Sequence, residues 1–401
     1  MTRTVVERGN WLSRTTLAIE TALISAPSRS DNRIFGRYLL ERVLLACERA
    51  GVRRFFIQAP ASRRPEVECS LGSFRSRSEV TVVDRLEPSL DGIDPDSPCI
   101  SFAGNLVFSK LQLKRVLDSA AQSPNRVYRF LSSDADHGGE IAVGPMRRLL
   151  EEGGLRNEPL RRSTGELPFA LNGRPEDRDE AELRLARSLR HETAGTDALL
   201  ARLLDRKLSW RISLRLARTR ITPNQVTIAN TCVGLACALM FAIPSYGWRL
   251  LASVLLLVST TIDGIDGELA RLQMRETEWG GRLDVITDNI VHVAVFAGIF
   301  VGVYRASTDP IFIWLMPIQL AGFALAALST FMALRIRGPQ AEKWIEKVER
   351  ISGRDFAYLL LGFALFNRLQ WFCWGTAFGI YVFALVLIWL TVRHRKAESA
   401  E

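Results

Sequence analysis

From Asp263 to Asp288 the chain reads DGIDGELARLQMRETEWGGRLDVITD, a pattern DxxDGxxARx8Gx3Dx3D whose fixed positions are Asp263, Asp266, Gly267, Ala270, Arg271, Gly280, Asp284 and Asp288. On a helix, Asp263, Asp266, Gly267 and Ala270 share an arc of about 100°, and Gly280, Asp284 and Asp288 share one of about 80°. Each segment therefore aims its carboxylates at one place. An aspartate at bilayer depth costs about 2.5 to 3.5 kcal/mol, so four without compensation would cost on the order of 10 kcal/mol. A cation between them supplies the compensation. Oxygen ligands without an accompanying histidine or cysteine cluster favour Mg²⁺ or Mn²⁺, with Ca²⁺ as a competitor. Two such ions clamp the attacking and leaving oxygens of an in-line displacement at phosphorus. Gly267 and Ala270, small residues on the same face, leave room for a substrate or a neighbouring backbone. The competing structural reading pairs the aspartates with Arg271, Arg275 and Arg282 in a salt-bridge network. His292, one turn beyond Asp288, is either a group that supports the carboxylates or a packed structural histidine.

Outward from this stretch the chain divides in two. A chain of 401 residues is too long for one ordinary domain, and its apolar residues crowd into the second half. Apolar stretches run at about 225 to 243, 248 to 266, 283 to 303, 311 to 334, 355 to 367 and 371 to 392, which predicts six transmembrane helices. Arginines and lysines cluster before the first stretch (Arg206, Lys207, Arg211, Arg215), between the second and third, after the fourth (Arg335, Arg337, Lys343, Lys347) and after the last, while the intervening connections carry Arg249, Arg305 and Arg368. That bias predicts a multi-pass protein of the cell (inner) membrane, with both termini and the acidic motif on the cytoplasmic side. The net charge of +9 then reads as a topology and headgroup signal, and no nucleic-acid-binding module accompanies it. No cleavable signal is evident near Arg3, Arg8 and Arg14. The six cysteines show neither metal-ligand spacing nor a disulfide framework.

All eight fixed positions match the signature of the CDP-alcohol phosphotransferase family of integral membrane enzymes, which this half of the chain resembles. The resemblance implies transfer of a phospho-alcohol unit from a CDP-alcohol donor to a hydroxyl acceptor with release of CMP. It also implies a six-helix membrane domain and a homodimer. Asp263, Asp266 and Asp284 become the expected metal ligands, with Asp288 as ligand, as general base for the acceptor, or as both. Gly267, Ala270, Arg271 and Gly280 resemble the donor-binding side. Asn224, in the ITPNQVT run that opens the first span, resembles the family's nucleotide contact; on its own it reads equally as a helix-start hydrogen bond. Arg335 and Arg337 are candidates for an acceptor phosphate or simply set topology. Phosphatidylinositol-phosphate-like and phosphatidylglycerol-phosphate-like syntheses both stay open, as does a non-catalytic scaffold that binds divalent cations.

The first half alternates strand-like runs near Thr16, Arg54, Val80 and Cys99 with helical periodicity over 35 to 50 and 109 to 121, which predicts an α/β domain with a parallel sheet. Residues 34 to 51, IFGRYLLERVLLACERAG, resemble the start of sugar-nucleotide or inositol-phosphate nucleotidyltransferases, as in bifunctional inositol-phosphate cytidylyltransferases fused to a di-inositol-phosphate-phosphate synthase. Where those enzymes carry a glycine-rich phosphate loop, this chain has SAPSRSDNR, and Asn105 stands where their metal-binding aspartate is expected. Both departures predict a domain that has lost nucleotide chemistry. Retained transferase activity, making the chain bifunctional, is the alternative, and Asp134, Asp136 and His137 would be a second acidic group or a solvated turn.

The expected division is a nucleotidyltransferase-like domain at 1–152, a linker and juxtamembrane amphipathic helix at 153–220, and the membrane domain at 221–401. Because every expected catalytic residue lies after residue 200, the membrane part is expected to work without the first half. The charge distribution makes a prediction of its own. Cysteine labels placed at Ala194 and Ala397 should react from the cytoplasmic side and one at Thr308 from the outside; opposite accessibility of the two ends would overturn the topology.

Overall fold

A computed structural model describes residues 19–27, 29–76, 79–86, 93–121, 126–131, 139–151, 161–162, 167–171, 174–193, 206–334 and 356–398. In the first half the strands are β1 (Thr21–Ser25), β2 (Arg33–Ile34), β3 (Arg37–Tyr38), β4 (Arg54–Gln58), β5 (Glu79–Val83), β6 (Pro98–Ala103), β7 (Leu106–Val107), β8 (Tyr128–Leu131), β9 (Glu140–Pro145), β10 (Arg161–Arg162) and β11 (Phe169–Ala170). The accompanying helices are α1 (Leu39–Arg49), α2 (Arg64–Ser70), α3 (Lys110–Ala121) and α4 (Met146–Glu151).

Seven strands form one sheet in the order β10-β8-β9-β6-β1-β4-β5. β5, β4, β1 and β6 are parallel, with Ala22 of β1 opposite Phe55 on one side and Ile100 on the other. A strand buried on both faces reads as a continuous apolar run, which is why Ala22, Leu23 and Ile24 sit at the centre of the sheet. Among the described residues the first strand begins at Thr21; the expected one near Thr16 starts outside them. β9 pairs antiparallel with both β6 and β8, so the sheet is parallel-rich with an antiparallel insertion that the sequence reading missed. The expected helix over 35 to 50 starts only at Leu39. Phe35 and Gly36 both take positive φ, 49° and 78°, and so make the two-residue turn of the β2–β3 hairpin in front of it.

Among the described residues, the 153–220 stretch expected as linker and juxtamembrane helix holds β10 and β11, which pair with β8 and β7 of the first half, and two helices, α5 (Pro175–Thr193) and α6 (Arg206–Ala217). Instead of lying alone on headgroups, α6 packs on the membrane half: the Ser209 and Ser213 hydroxyls donate to the buried Glu268 carboxylate at 3.1 and 2.6 Å. The membrane half contains α7 (Pro223–Phe241), α8 (Tyr246–Leu272), α9 (Glu278–Ser307), α10 (Ile311–Leu334), α11 (Phe356–Leu365) and α12 (Leu369–Glu398). Among the described residues, five of these helices are long and apolar enough to cross a membrane, and the chain is a multi-pass membrane protein. The expected fifth span is the ten-residue α11, about 15 Å long, half of a hydrocarbon core of about 30 Å.

α7 starts with a capping box: Thr222 and Gln225 satisfy each other's backbone N–H groups and Pro223 occupies the first turn. It then lies against α9 so closely that a Cβ at Gly298 would overlap the Ala238 carbonyl and one at Gly302 the Phe241 carbonyl. This is small-residue packing, which in lipid replaces the hydrophobic drive that holds soluble helices together. Arg249 of α8, buried at the same end, donates to the Gly302 carbonyl at 2.5 Å.

The two halves share one core. Phe35, Leu39 and Val43 of the first half belong to the same buried cluster as Ala217 of α6, Val226 of α7 and Ile265, Leu269 and Leu272 of α8. Apolar residues of the acidic-motif helix thus complete the core of the first half.

Overpacking a tight contact costs about 1 to 3 kcal/mol. Gly302→Leu should therefore lower the thermal midpoint in detergent by several degrees, whereas Gly375→Ala, where an added Cβ meets nothing within 4 Å, should leave it unchanged. Equal midpoints for Gly302→Leu and the parent protein would contradict the close α7–α9 contact.

Candidate active site

α8 and α9 are joined by the short connection Gln273–Thr277 and therefore run antiparallel. Thr277 caps α9 by accepting from the Gly280 N–H at 3.0 Å, and Met274 turns the chain with a φ of 52°. At 27 and 30 residues, α8 and α9 measure about 40 and 45 Å, longer than a hydrocarbon core of about 30 Å. Their joined ends consequently reach the headgroup level. Asp263 lies a few turns before the end of α8, and Asp284 and Asp288 lie in the second and third turns of α9.

One carboxylate oxygen from each of Asp263, Asp284 and Asp288 lies within 4.8 Å of the others. The two helical arcs read from the sequence thus meet at one point, and all three residues are half-buried. Asp266 stands apart from this group. Its buried carboxylate accepts the Thr227 hydroxyl and the Gly267 N–H, each at 2.5 Å. The structure also brings Asn224 and Gly280 together: a Cβ at Gly280 would lie 3.1 Å from Asn224 Oδ1. Gly267, Ala270 and Arg271 are half-buried on the last turns of α8. Arg335 and Arg337 lie outside the described residues, as do Asp134, Asp136 and His137.

A cleft opens beside Asp263 and Asp288, lined by Thr227, Asn230, Thr231, Ser259, Thr260, Thr287, His292 and Phe356 among others. Its lining combines these polar groups with the apolar Leu256, Val291, Val295 and Phe356. Ser259 donates to Asn230 Oδ1 at 2.8 Å, tying α7 to α8 beneath the carboxylates. The His292 ring nitrogen Nδ1 lies 2.6 Å from the Asp288 carbonyl, and the ring packs 5.2 Å from that of Phe356. Sequence reasoning missed Thr227, Asn230 and Ser259. A signal existed: Asn224, Thr227 and Thr231 recur at helical spacing in an otherwise apolar span, and Ser259 is one turn before Asp263.

In the first half, the two places where the sequence departs from nucleotidyltransferases make contacts within the protein. Asn105 donates from its amide to the Leu171 carbonyl at 3.2 Å. The loop after β1 is pinned by Arg63, whose guanidinium donates to the Pro27 carbonyl at 2.5 Å. A Cβ at Gly104 would meet Pro27 at 2.9 Å.

Residues 220–393 match the model of the CDP-alcohol phosphatidyltransferase family, so the chain carries a domain of that family in its carboxy-terminal part. It is 32% identical over 196 residues to a bifunctional IPC transferase and DIPP synthase of Thermococcus kodakarensis, covering 46% of this chain and 42% of that protein. It is 28% identical over 189 residues to an archaetidylinositol phosphate synthase of Pyrococcus horikoshii, covering 47% of this chain and 89% of that one. The chain spans less than half the length of the bifunctional relatives it matches. Among solved structures, a 4-diphosphocytidyl-2C-methyl-D-erythritol synthase from Anaerococcus prevotii aligns at 13% identity and a TM-score of 0.32, over 41% of this chain and 98% of that one.

The carboxylate group makes a prediction independent of any reaction. Mn²⁺ titrated into detergent-solubilised protein should bind, as read by loss of the free-ion paramagnetic resonance signal, and Asp284→Asn should weaken it by ~10-fold or more, since one anionic oxygen donor is lost. Unchanged affinity in that variant would place the ion elsewhere.

Proposed function

We propose that the chain is a membrane phosphotransferase that moves a phospho-alcohol unit from a CDP-alcohol to an acceptor hydroxyl and releases CMP. The observation that carries this reading is the convergence of Asp263, Asp284 and Asp288 within 4.8 Å inside a domain of the matched family. Three carboxylates and no nitrogen or sulfur donor suit hard divalent ions, so Mg²⁺ or Mn²⁺ is the expected occupant, held by these three with Asp266 as a further candidate ligand. When bound, the ions neutralise the phosphates of the donor and favour displacement at phosphorus.

The chain's own groups do the remainder. Asn224 and the bare backbone at Gly280 form the approach for the nucleotide, alongside Gly267, Ala270 and Arg271. Thr227 fixes Asp266 by its hydroxyl, so that this carboxylate keeps one orientation while charge builds nearby. Asp288, which lines the cleft, is placed to take the proton of the acceptor hydroxyl as its oxygen attacks phosphorus and the CMP oxygen leaves. The apolar part of the cleft lining suits a lipid-linked substrate. An inositol-phosphate type of acceptor is favoured by the names of the relatives from Thermococcus and Pyrococcus, and Arg335 and Arg337 are the candidate partners for its phosphate.

The cytoplasmic placement of both termini and of the first half completes the proposal. The first half, on this reading, makes no CDP-alcohol of its own: Asn105 stands where a carboxylate is expected, and the loop after β1 lacks the glycines that would cradle phosphates. The bifunctional alternative draws on the name of the Thermococcus relative.

With a panel of CDP-alcohols in detergent, CMP release should require Mg²⁺ or Mn²⁺ and should fall at least ~10³-fold in Asp284→Asn or Asp263→Asn while the protein stays folded, because the clamp on the reacting phosphate is broken. Near-normal turnover in either variant would sink the mechanism. The full chain supplied with CTP, Mg²⁺ and inositol phosphate should release no pyrophosphate; clear release would establish the bifunctional alternative.

A further inference from the structure

The first half reaches the carboxy-terminal end of the acidic-motif helix through three arginines. Arg42, 5% exposed, donates to the Leu272 carbonyl at the end of α8. Arg37 donates through Nε to the Gln273 carbonyl at 2.7 Å. Arg49 donates to the Met274 carbonyl at 3.2 Å and pairs with Glu276 at 2.7 Å. Three guanidinium groups from α1 and the strand before it thus cap successive carbonyls of one helix end, where the helix leaves its last carbonyls unbonded and its dipole is negative. On the opposite side, the Gln273 amide donates to the Ile221 carbonyl at 3.1 Å, just ahead of α7. Glu41, itself buried, holds Arg37 at 2.5 Å and also accepts the Ser73 N–H and hydroxyl, so the clamp is braced from within the soluble half. Burial pushes the Arg42 guanidinium down to about 9, with Arg37 beside it acting in the same direction.

The connection Gln273–Thr277 is what joins Asp263 to Asp284 and Asp288 along the chain. A helix end that shifts by a fraction of a turn moves Asp263 away from its two partners on α9. We propose that Arg37, Arg42 and Arg49 are positioning residues for the acidic site: the soluble half acts as a guanidinium clamp that sets the register of α8 against α9 and hence the spacing of the three carboxylates. This assigns the nucleotidyltransferase-like half a role in phosphotransfer that needs no nucleotide bound to it. The inference rests on the proposed reaction only for its turnover readout.

The test uses the full-length protein in detergent, with Mn²⁺ as probe and paramagnetic resonance as the direct measure of binding. Arg37→Met and Arg49→Met should each raise the Mn²⁺ dissociation constant by ~10-fold or more, the range expected when a group that orients metal ligands is lost, and Arg49→Lys should recover part of that loss. CMP release should show a matching rise in the metal concentration for half-maximal rate and a fall in kcat, with the KM for CDP-alcohol little changed. Arg64→Met, on the exposed face of α2, should match the parent protein throughout. Arg49→Met is the variant expected to keep the fold, because the Arg49 side chain is already 23% exposed. Folded Arg37→Met and Arg49→Met proteins with parental Mn²⁺ affinity would overturn the clamp. Parental Mn²⁺ binding without CMP release in the unmutated protein would refute the proposed reaction instead, and the affinity series would still decide the clamp.

Discussion

Like charges held together are the constraint on which the rest of this structure turns. Carboxylates 4.8 Å apart repel by about 3 kcal/mol per pair at an effective dielectric near 20, so three of them oppose folding by on the order of 10 kcal/mol when all are ionised. That is comparable with the whole stability of a typical domain, about 5 to 15 kcal/mol. A site of this kind persists only if the helices that carry it are held by contacts remote from the charges. The α7–α9 seam at Gly298 and Gly302, the Arg249 contact to the Gly302 carbonyl and the Ser209 and Ser213 contacts to Glu268 all serve that end, and each lies away from the cleft.

These contacts divide the work by depth. Near the far end, backbones touch because glycines allow it, and a buried guanidinium stitches α8 to α9. At the level of the carboxylates, the ties are hydroxyls and amides: Thr227 to Asp266 and Ser259 to Asn230. At the headgroup level, where water competes, charged groups take over, with arginines on helix-end carbonyls and Arg218 of the α6–α7 connection bridging Glu182 and Asp179 of α5 at 2.7 Å each. The gradient follows the solvent. Hydrogen bonds between neutral groups suffice where little competes, and full charges are used where screening weakens every contact.

The fold and the acidic site were legible in the sequence to different degrees. Helical phase placed Asp263, Asp284 and Asp288 on converging arcs because a helix has one period and a membrane leaves few alternatives to it. The strands at Arg54, Val80 and Cys99 were legible for a similar reason: a strand buried on both faces must be apolar throughout. Asp266 shared the arc of Asp263, yet its orientation depends on Thr227, forty residues or so away in the chain, and no local pattern reports such a bond. The hairpin at Phe35 and Gly36 was hidden because its neighbours, LLERVLLACER, are so strongly helical that the pattern extends backward over them. Most hidden of all was the shared core, since Ile265, Leu269 and Leu272 look like ordinary lipid-facing residues until Phe35 and Leu39 are seen against them.

That shared core sets the order in which the protein is made. The β-sheet and α1 leave the ribosome first, but the apolar face around Phe35 and Leu39 lacks part of its covering until residues 265 to 272 have been synthesised and α8 has been inserted. At about 5 to 20 residues per second, the delay is of the order of ten seconds or more. During that interval the nascent first half has an incomplete interior, and arrival of the acidic-motif helix is the event that completes it.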